Sequence, residues 1–144
     1  MHLLDINVLI ALVDPDHLHH AGASSWFHSI ERDAWATCPL TENGFIRILS
    51  QPSYPTLSGN SENARRTLNA LTSNPGHQFW PDSVSLRDSQ TFPRLSGAKN
   101  LTDLYLLALA VSHKGKFATL DARISPDLIP GGPQAYFFVP ELKQ

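Results

Sequence analysis

The chain has 144 residues, 42% hydrophobic and 17% charged, which is enough apolar material for one folded domain with a single sizeable core. A formal net charge of −2 excludes a uniformly basic nucleic-acid coat. The lone cysteine, Cys38, excludes an internal disulfide and a thiolate zinc site, so a reducing cytoplasm is the expected compartment.

His2 to Leu4 reads as a short, fully buried strand, followed at once by a helix from Ile6 to about Val13. Asp14-Pro15-Asp16 is the stop, since proline disfavours helix in the residue before it. A second helix is expected from about His17 to Glu31, with Ala23, Trp26, Phe27 and Ile30 as its apolar face. Ala34 to Cys38 reads as a second strand, closed by Pro39. Thr41 to Leu49 is a third helix, capped by Thr41, with Phe45, Ile46, Ile48 and Leu49 turned to the core. Gln51 to Asn60 is a loop, because prolines, a glycine and small polar residues break any period.

Ser61 offers a cap for a polar helix to about Thr72, and Asn74-Pro75-Gly76 ends it. His77 to Pro81 is a third strand. Ser83 to Asn100 is expected to hold a short helix near Leu86 and a loop through Pro93 to Gly97. Leu101 to Gly115 carries the strongest helical pattern, with Thr102 as cap, Asp103 complementing the positive helix end and Gly115 at the stop. Lys116 to Asp121 is the fourth strand. Ala135 to Val139 is the last, reached through a turn at Pro130-Gly131-Gly132-Pro133.

Strands alternating with helices imply right-handed βαβ crossovers, hence a three-layer α/β/α, Rossmann-like fold around a mostly parallel sheet of about five strands. No repeat, low-complexity tract or long linker divides residues 1–144, so a single domain is expected. The apolar stretches fall short of a membrane span and the first residues lack a basic signal region, so no membrane association is expected.

Charge is uneven along the chain. Residues 43–102 hold six basic and three acidic residues, whereas the remainder holds five basic and ten acidic. Such a basic middle is either a set of solvated helix faces or a surface that contacts phosphates beside an acidic site. Charge alone does not choose between them.

Asp5 is the anomaly. It sits in "LLDINVLIAL", where eight of ten residues suit a core, and a carboxylate buried without a partner is costly. In an open parallel sheet, ligands bind beyond the carboxyl ends of the strands. Asp5 closes the first strand and Asp121 the fourth, Glu42 lies in the first turn of the helix after the second strand, and Asp103 opens the helix feeding the fourth. All four carboxylates therefore converge on one edge, although 37, 61 and 18 positions separate them in sequence. Converging carboxylates call for cations, and hard divalent ions such as Mg²⁺ or Mn²⁺ suit oxygen ligands. Such ions activate water and steady the charge on a scissile phosphate. Taken singly, Asp103 and Glu42 could merely complement helix ends and Asp121 could be a turn residue. The joint placement carries the inference.

The stretches "LLDINVLIAL", "TENGFIRIL", "LTDLYLLALA" and "FATLD" resemble the four acidic motifs of the PIN domain, in its VapC-type bacterial toxin branch. "HLHHAGASSWF" is also typical of that branch. The resemblance runs from residue 3 to about 121 and implies a Mg²⁺- or Mn²⁺-dependent endoribonuclease acting on single-stranded RNA. It further implies a cognate antitoxin partner and a homodimer. Carried over by position, Asp5, Glu42, Asp103 and Asp121 are the metal-site acids, with Asp5 and Asp103 the closest ligands. Asn7 and Thr119 match flanking polar positions that orient carboxylates or waters. Arg47 matches a basic residue one turn after the glutamate, suited to a phosphate or a carboxylate; an ordinary surface ion pair is the other reading. Arg65, Arg66 and His17 are candidates for RNA contact. Some relatives carry a further polar or acidic residue shortly after the fourth motif, whereas Arg123 follows here, which bears on a second metal site.

Three other readings compete. His17, His19 and His20 could form an imidazole metal site, or stand as exposed polar residues. "LLDIN" superficially suggests an aspartyl-phosphate phosphatase, but that chemistry wants a second carboxylate where Asn7 stands. A degenerate PIN fold that only binds RNA or protein is the third, and such a fold has no need of four acids.

Overall fold

A computed structural model of the chain describes residues 1–30, 32, 34–54 and 60–142. Five strands lie parallel: β1 (His2–Leu4), β2 (Trp35–Thr37), β3 (His77–Phe79), β4 (Lys116–Thr119) and β5 (Tyr136–Phe138), in the order β3-β2-β1-β4-β5. β1 is therefore central, and Leu3 pairs with Ala36 on one side and Phe117 on the other. Six helices cover the sheet: α1 (Ile6–Val13), α2 (His20–Ile30), α3 (Pro39–Leu49), α4 (Ser61–Thr72), α5 (Leu101–Ser112) and α6 (Gly132–Ala135).

Alternation along β1 divides the core. Leu3 packs with Leu104, Leu107 and Phe117 under α5, while Leu4 faces Val8, Phe27, Phe45 and Leu68 from α1 to α4. Both side chains are fully buried, each contributing about 1.5–3 kcal/mol. This two-sided burial is what a parallel sheet requires, and it gives the three layers expected. α1 and α3 meet at Gly44, where a Cβ would stand 2.2 Å from the Ile6 Cδ1, so the helix after β2 lies close beside the helix after β1.

Several boundaries differ from expectation. α2 starts at His20 rather than His17, because side chains close the turn: Asp14 Oδ1 accepts the Asp16 N–H and His17 Nδ1 accepts that of His19, both at 3.0 Å. α3 begins at Pro39, whose missing N–H is harmless at a first helical position. Thr41 still closes that end from inside, its Oγ1 accepting the Cys38 N–H at 3.0 Å. Asn60, not Ser61, caps α4 by accepting the N–H groups of Glu62 and Asn63.

No helix forms near Leu86. There Ser85 and Asp88 spend their side chains on turns, accepting the N–H groups of Arg87 and Gln90, and the sole helical turn of that stretch is 3₁₀, at Ala98–Asn100. That turn leads into α5 at Leu101, so Thr102 is not its cap. Past α5 the left-handed residue is Lys114, with φ 55°. Gly115 serves close approach instead, since a Cβ there would lie 2.8 Å from the Met1 carbonyl oxygen. β4 stops at Thr119, which leaves Asp121 in the following turn. Glu31 and residues 55–59 of the expected loop lie outside the described residues.

Candidate active site

Asp5 leaves β1 and caps α1. Its N–H continues the ladder to the Ala118 carbonyl at 2.9 Å, and its carbonyl accepts the first helical N–H groups, from Val8 and Leu9. The carboxylate is 4% exposed. Oδ1 accepts the Ile6 N–H at 2.7 Å and Oδ2 accepts the Thr119 hydroxyl at 2.7 Å. Burial pushes this carboxyl up to about 7, the negative charges of Asp103 and Asp121 push the same way, and the two hydrogen bonds oppose the rise. Asp103, in the first turn of α5, is also raised, by burial and then by Asp121, with Arg123 opposing. The three acids expected from β1, α5 and the end of β4 thus feel one another.

Asp121 is held differently. Its Oδ1 accepts both the backbone N–H and the Nε–H of Arg123, at 2.9 and 3.0 Å, and its Oδ2 accepts from Nη2 at 3.3 Å. This guanidinium keeps the Asp121 carboxyl below the usual carboxylate range, and the more distant charge of Lys99 adds to the effect. The Asp121 N–H donates to Thr119 Oγ1 at 3.0 Å, so one threonine oxygen links the two acids. Asn7, expected to orient a carboxylate or a water, instead uses its Oδ1 to accept the Leu120 N–H at 3.2 Å, in the turn after β4.

Glu42 stands apart from this group. Its Oε2 accepts the hydroxyl of Thr37, 2.7 Å away, and Thr37 Oγ1 is 2.7 Å from His77 Nε2. The threonine has one proton and gives it to Glu42, so His77 Nε2–H must be the donor to Thr37. Burial lowers the His77 pKa despite the nearby Glu42 charge, consistent with a neutral ring in that tautomer. Convergence at one sheet edge therefore holds for Asp5, Asp103 and Asp121 as an interacting set, and for Glu42 only by position.

A groove of about 460 Å³ opens above Asp5 and Asp103. Asn7, Ile10 and His17 line it from α1 and its following turn, Arg47 and Ile48 from α3, Lys99 from the 3₁₀ turn before α5, Thr102 from α5, and Tyr54 from the segment after α3. It pairs an acidic end with two exposed cations, Arg47 and Lys99. Lys99 was not singled out from sequence, although its position four residues before Asp103 places it one turn away on the same side. Of the other basic candidates, Arg65 is paired with Glu62 and Arg66 donates to Asn63 on the exposed face of α4, neither lining the groove. The histidines have separate tasks: His17 lines the groove, while His20 Nδ1 donates to the Ala11 carbonyl at 2.7 Å.

Among the described residues, no three His, Cys, Asp or Glu side chains stand close enough to hold a metal ion by themselves. A Mg²⁺-like ion does not need them to, since it takes one or two protein carboxylates and completes its shell with water and substrate phosphate. Asp5 and Asp103 fit that requirement. Both are raised by burial and neighbouring negative charge. A cation there relieves the repulsion.

The PIN domain family model matches residues 2–125. Ribonuclease VapC44 of Mycobacterium tuberculosis is 44% identical over 131 residues, 90% of this chain and 92% of its own length. Ribonuclease VapC39 of the same organism is 42% identical over 131 residues, covering 90% and 94%. Among solved structures, VapBC2 from Rickettsia felis bound to a DNA fragment from its promoter superposes with a TM-score of 0.61 at 12% identity, covering 95% of this chain and 96% of that one; at that identity it speaks for the fold. The chain belongs to the PIN-domain family, in the branch of the VapC ribonucleases.

Proposed function

We propose that this chain is an endoribonuclease toxin, hydrolysing RNA phosphodiester bonds at the Asp5–Asp103 end of the groove with Mg²⁺ or Mn²⁺ as cofactor. The observation that carries the reading is a carboxylate 4% exposed, raised to about 7, at the foot of a groove rimmed by Arg47 and Lys99. The likeness to the VapC ribonucleases supports the activity. The structural neighbour is a VapBC assembly, which supports a cognate antitoxin as partner. Residues 1–144 act as one nuclease domain, as a homodimer in the cytoplasm.

A divalent ion at the acids would supply charge neutralisation and a lowered pKa for the attacking water. Asp5 and Asp103 would hold it, and Asp121 and Glu42 would support it directly or through water. Thr119 fixes the orientation of Asp5 by donating to Oδ2, while Oδ1 accepts the Ile6 N–H. Arg47 and Lys99 pair with the phosphates of the strand, and cleavage leaves a 5′-phosphate. Asn7 is spent on the Leu120 N–H, which disfavours the phosphatase alternative because nothing replaces the missing acid.

The test is cleavage of a single-stranded RNA with Mn²⁺ or Mg²⁺, with and without chelator. Loss of cleavage on chelation and in Asp5→Asn is expected. Chelator-insensitive cleavage would overturn the mechanism. A divalent-ion affinity by calorimetry that ignores Asp5 and Asp103 would favour a binding module instead.

A further inference from the structure

Asp14 is a second buried acid, 5% exposed, and the hydrolytic scheme does not use it. It ends α1, and its Oδ1 accepts the Asp16 N–H at 3.0 Å. Its Oδ2 accepts the phenol of Tyr54 at 2.5 Å, across 40 positions of sequence. Burial and this carboxylate both push the Tyr54 phenol up, so it stays protonated and donating. At its backbone, the Tyr54 N–H donates to the Gln51 carbonyl at 2.9 Å. An aromatic residue from an irregular loop is thereby pinned at both ends, and it lines the groove that holds Asp5 and Asp103.

The walls of that groove bring together three kinds of chemistry: the carboxylates of Asp5 and Asp103, the cations of Arg47 and Lys99, and the apolar and aromatic surface of Ile10, Ile48 and Tyr54. A nucleotide combines the matching parts, a phosphate and a flat base. The volume of about 460 Å³ lies within the usual range for sites that hold one small-molecule unit. A base can lie on an aromatic ring only when it is unstacked and free of its pairing partner.

We propose that the Tyr54 wall of the groove is a base-binding subsite, which takes the unpaired nucleobase adjacent to the phosphate held at Asp5 and Asp103, with Asp14 fixing the ring in place. The proposal rests on the nuclease reading and adds to it the substrate feature that is recognised: a single extruded base. Stacking tolerates any of the four bases, so the subsite selects strand state more than sequence. A duplex keeps its bases paired and stacked and is excluded.

The experiment compares wild type, Tyr54→Leu and Tyr54→Phe on one short single-stranded RNA and on the same RNA with an abasic nucleotide beside the cleaved bond. Binding is read in parallel by fluorescence anisotropy in the Asp5→Asn background, so that affinity is measured without turnover. Circular dichroism melts confirm that each variant is folded. For wild type, removing the base is expected to raise KM and Kd about tenfold, with kcat little changed. Tyr54→Leu should bind intact and abasic RNA equally weakly. Tyr54→Phe, which keeps the ring, should retain most of the discrimination. Tyr54→Leu discriminating as well as wild type, or Tyr54→Phe failing as badly as Tyr54→Leu, would overturn the subsite. Base-dependent binding through Tyr54 without any cleavage would refute the nuclease reading and leave the subsite standing. Cleavage that ignores the base would do the reverse, and no binding at all would refute both.

Discussion

The Thr119 hydroxyl lies 2.7 Å from Asp5 Oδ2 and donates to it, although 114 positions separate the two residues. Thr119 is fully buried and its oxygen also accepts the Asp121 N–H. A single side chain therefore relates two acids from opposite ends of the chain, and it does so because β1 and β4 are neighbours in the sheet.

Asp5 makes the metal-free protein sensitive to pH. Its folded pKa is raised from 3.8 to about 7, so the native state binds a proton that the unfolded chain releases earlier. Stability is fully present below about 4 and falls as pH rises through about 7, by on the order of 4 kcal/mol. In chelator, Asp5→Asn is expected to be more stable than wild type at pH 8, with the difference gone near pH 4. Denaturant melts across that range check this, and a pH-independent difference would contradict it.

Thr37→Val tests the contact that holds Glu42. It removes the donor to Oε2 and the acceptor for His77 Nε2–H within a fully buried position. A loss of about 1–3 kcal/mol in stability is expected. If Glu42 supports the ion through water, activity or Mn²⁺ affinity should also fall by about 10–100-fold. Calorimetry with Mn²⁺ separates the two effects, and unchanged affinity with lowered stability would confine Glu42 to a structural part.

Arg123→Ala removes the cation that occupies both oxygens of Asp121. Arg123 also opposes the charge of Asp103, so its loss should raise the pKa of both acids. The exposed guanidinium contributes little to folding, and the thermal midpoint should hold. Divalent-ion affinity above pH 7 should increase severalfold, because a competing positive charge is gone. A weaker ion affinity in this variant would mean that Arg123 helps to build the site instead.

Lys114→Gly is a control remote from the chemistry. Lys114 has φ 55°, a region where a Cβ is strained, and it follows the last turn of α5. The substitution should raise stability by about 0.5–1 kcal/mol in a thermal melt, without altering cleavage.

What could be read from sequence was whatever local pattern dictates. Asp5 stood out because its neighbours are apolar, and Asp103 because it lies in the first turn of the most regular helix. The layers followed from alternation of strand and helix. The Thr37 and His77 contacts of Glu42 were not legible, since they depend on β2 and β3 being adjacent and in register, with Trp35 opposite His77. Tyr54 was hidden for a different reason. It lies in a stretch with no period, and its place is set by a buried aspartate that the sequence presents as an ordinary turn residue. The helix expected near Leu86 failed because Ser85 and Asp88 bond to the backbone beside them, a competition that hydrophobic spacing does not register.

The central place of β1 also sets a timetable for synthesis. Asp5 has no Thr119 to orient it and no β4 beside it until the chain has been made as far as position 119. Asp103 and Asp121 come just as late. A chain that stops short of position 116 lacks β4, and with it the Thr119 donor and the Asp121 charge that act on Asp5. On the nuclease reading, activity begins only after the fourth strand has been made and has paired with the first.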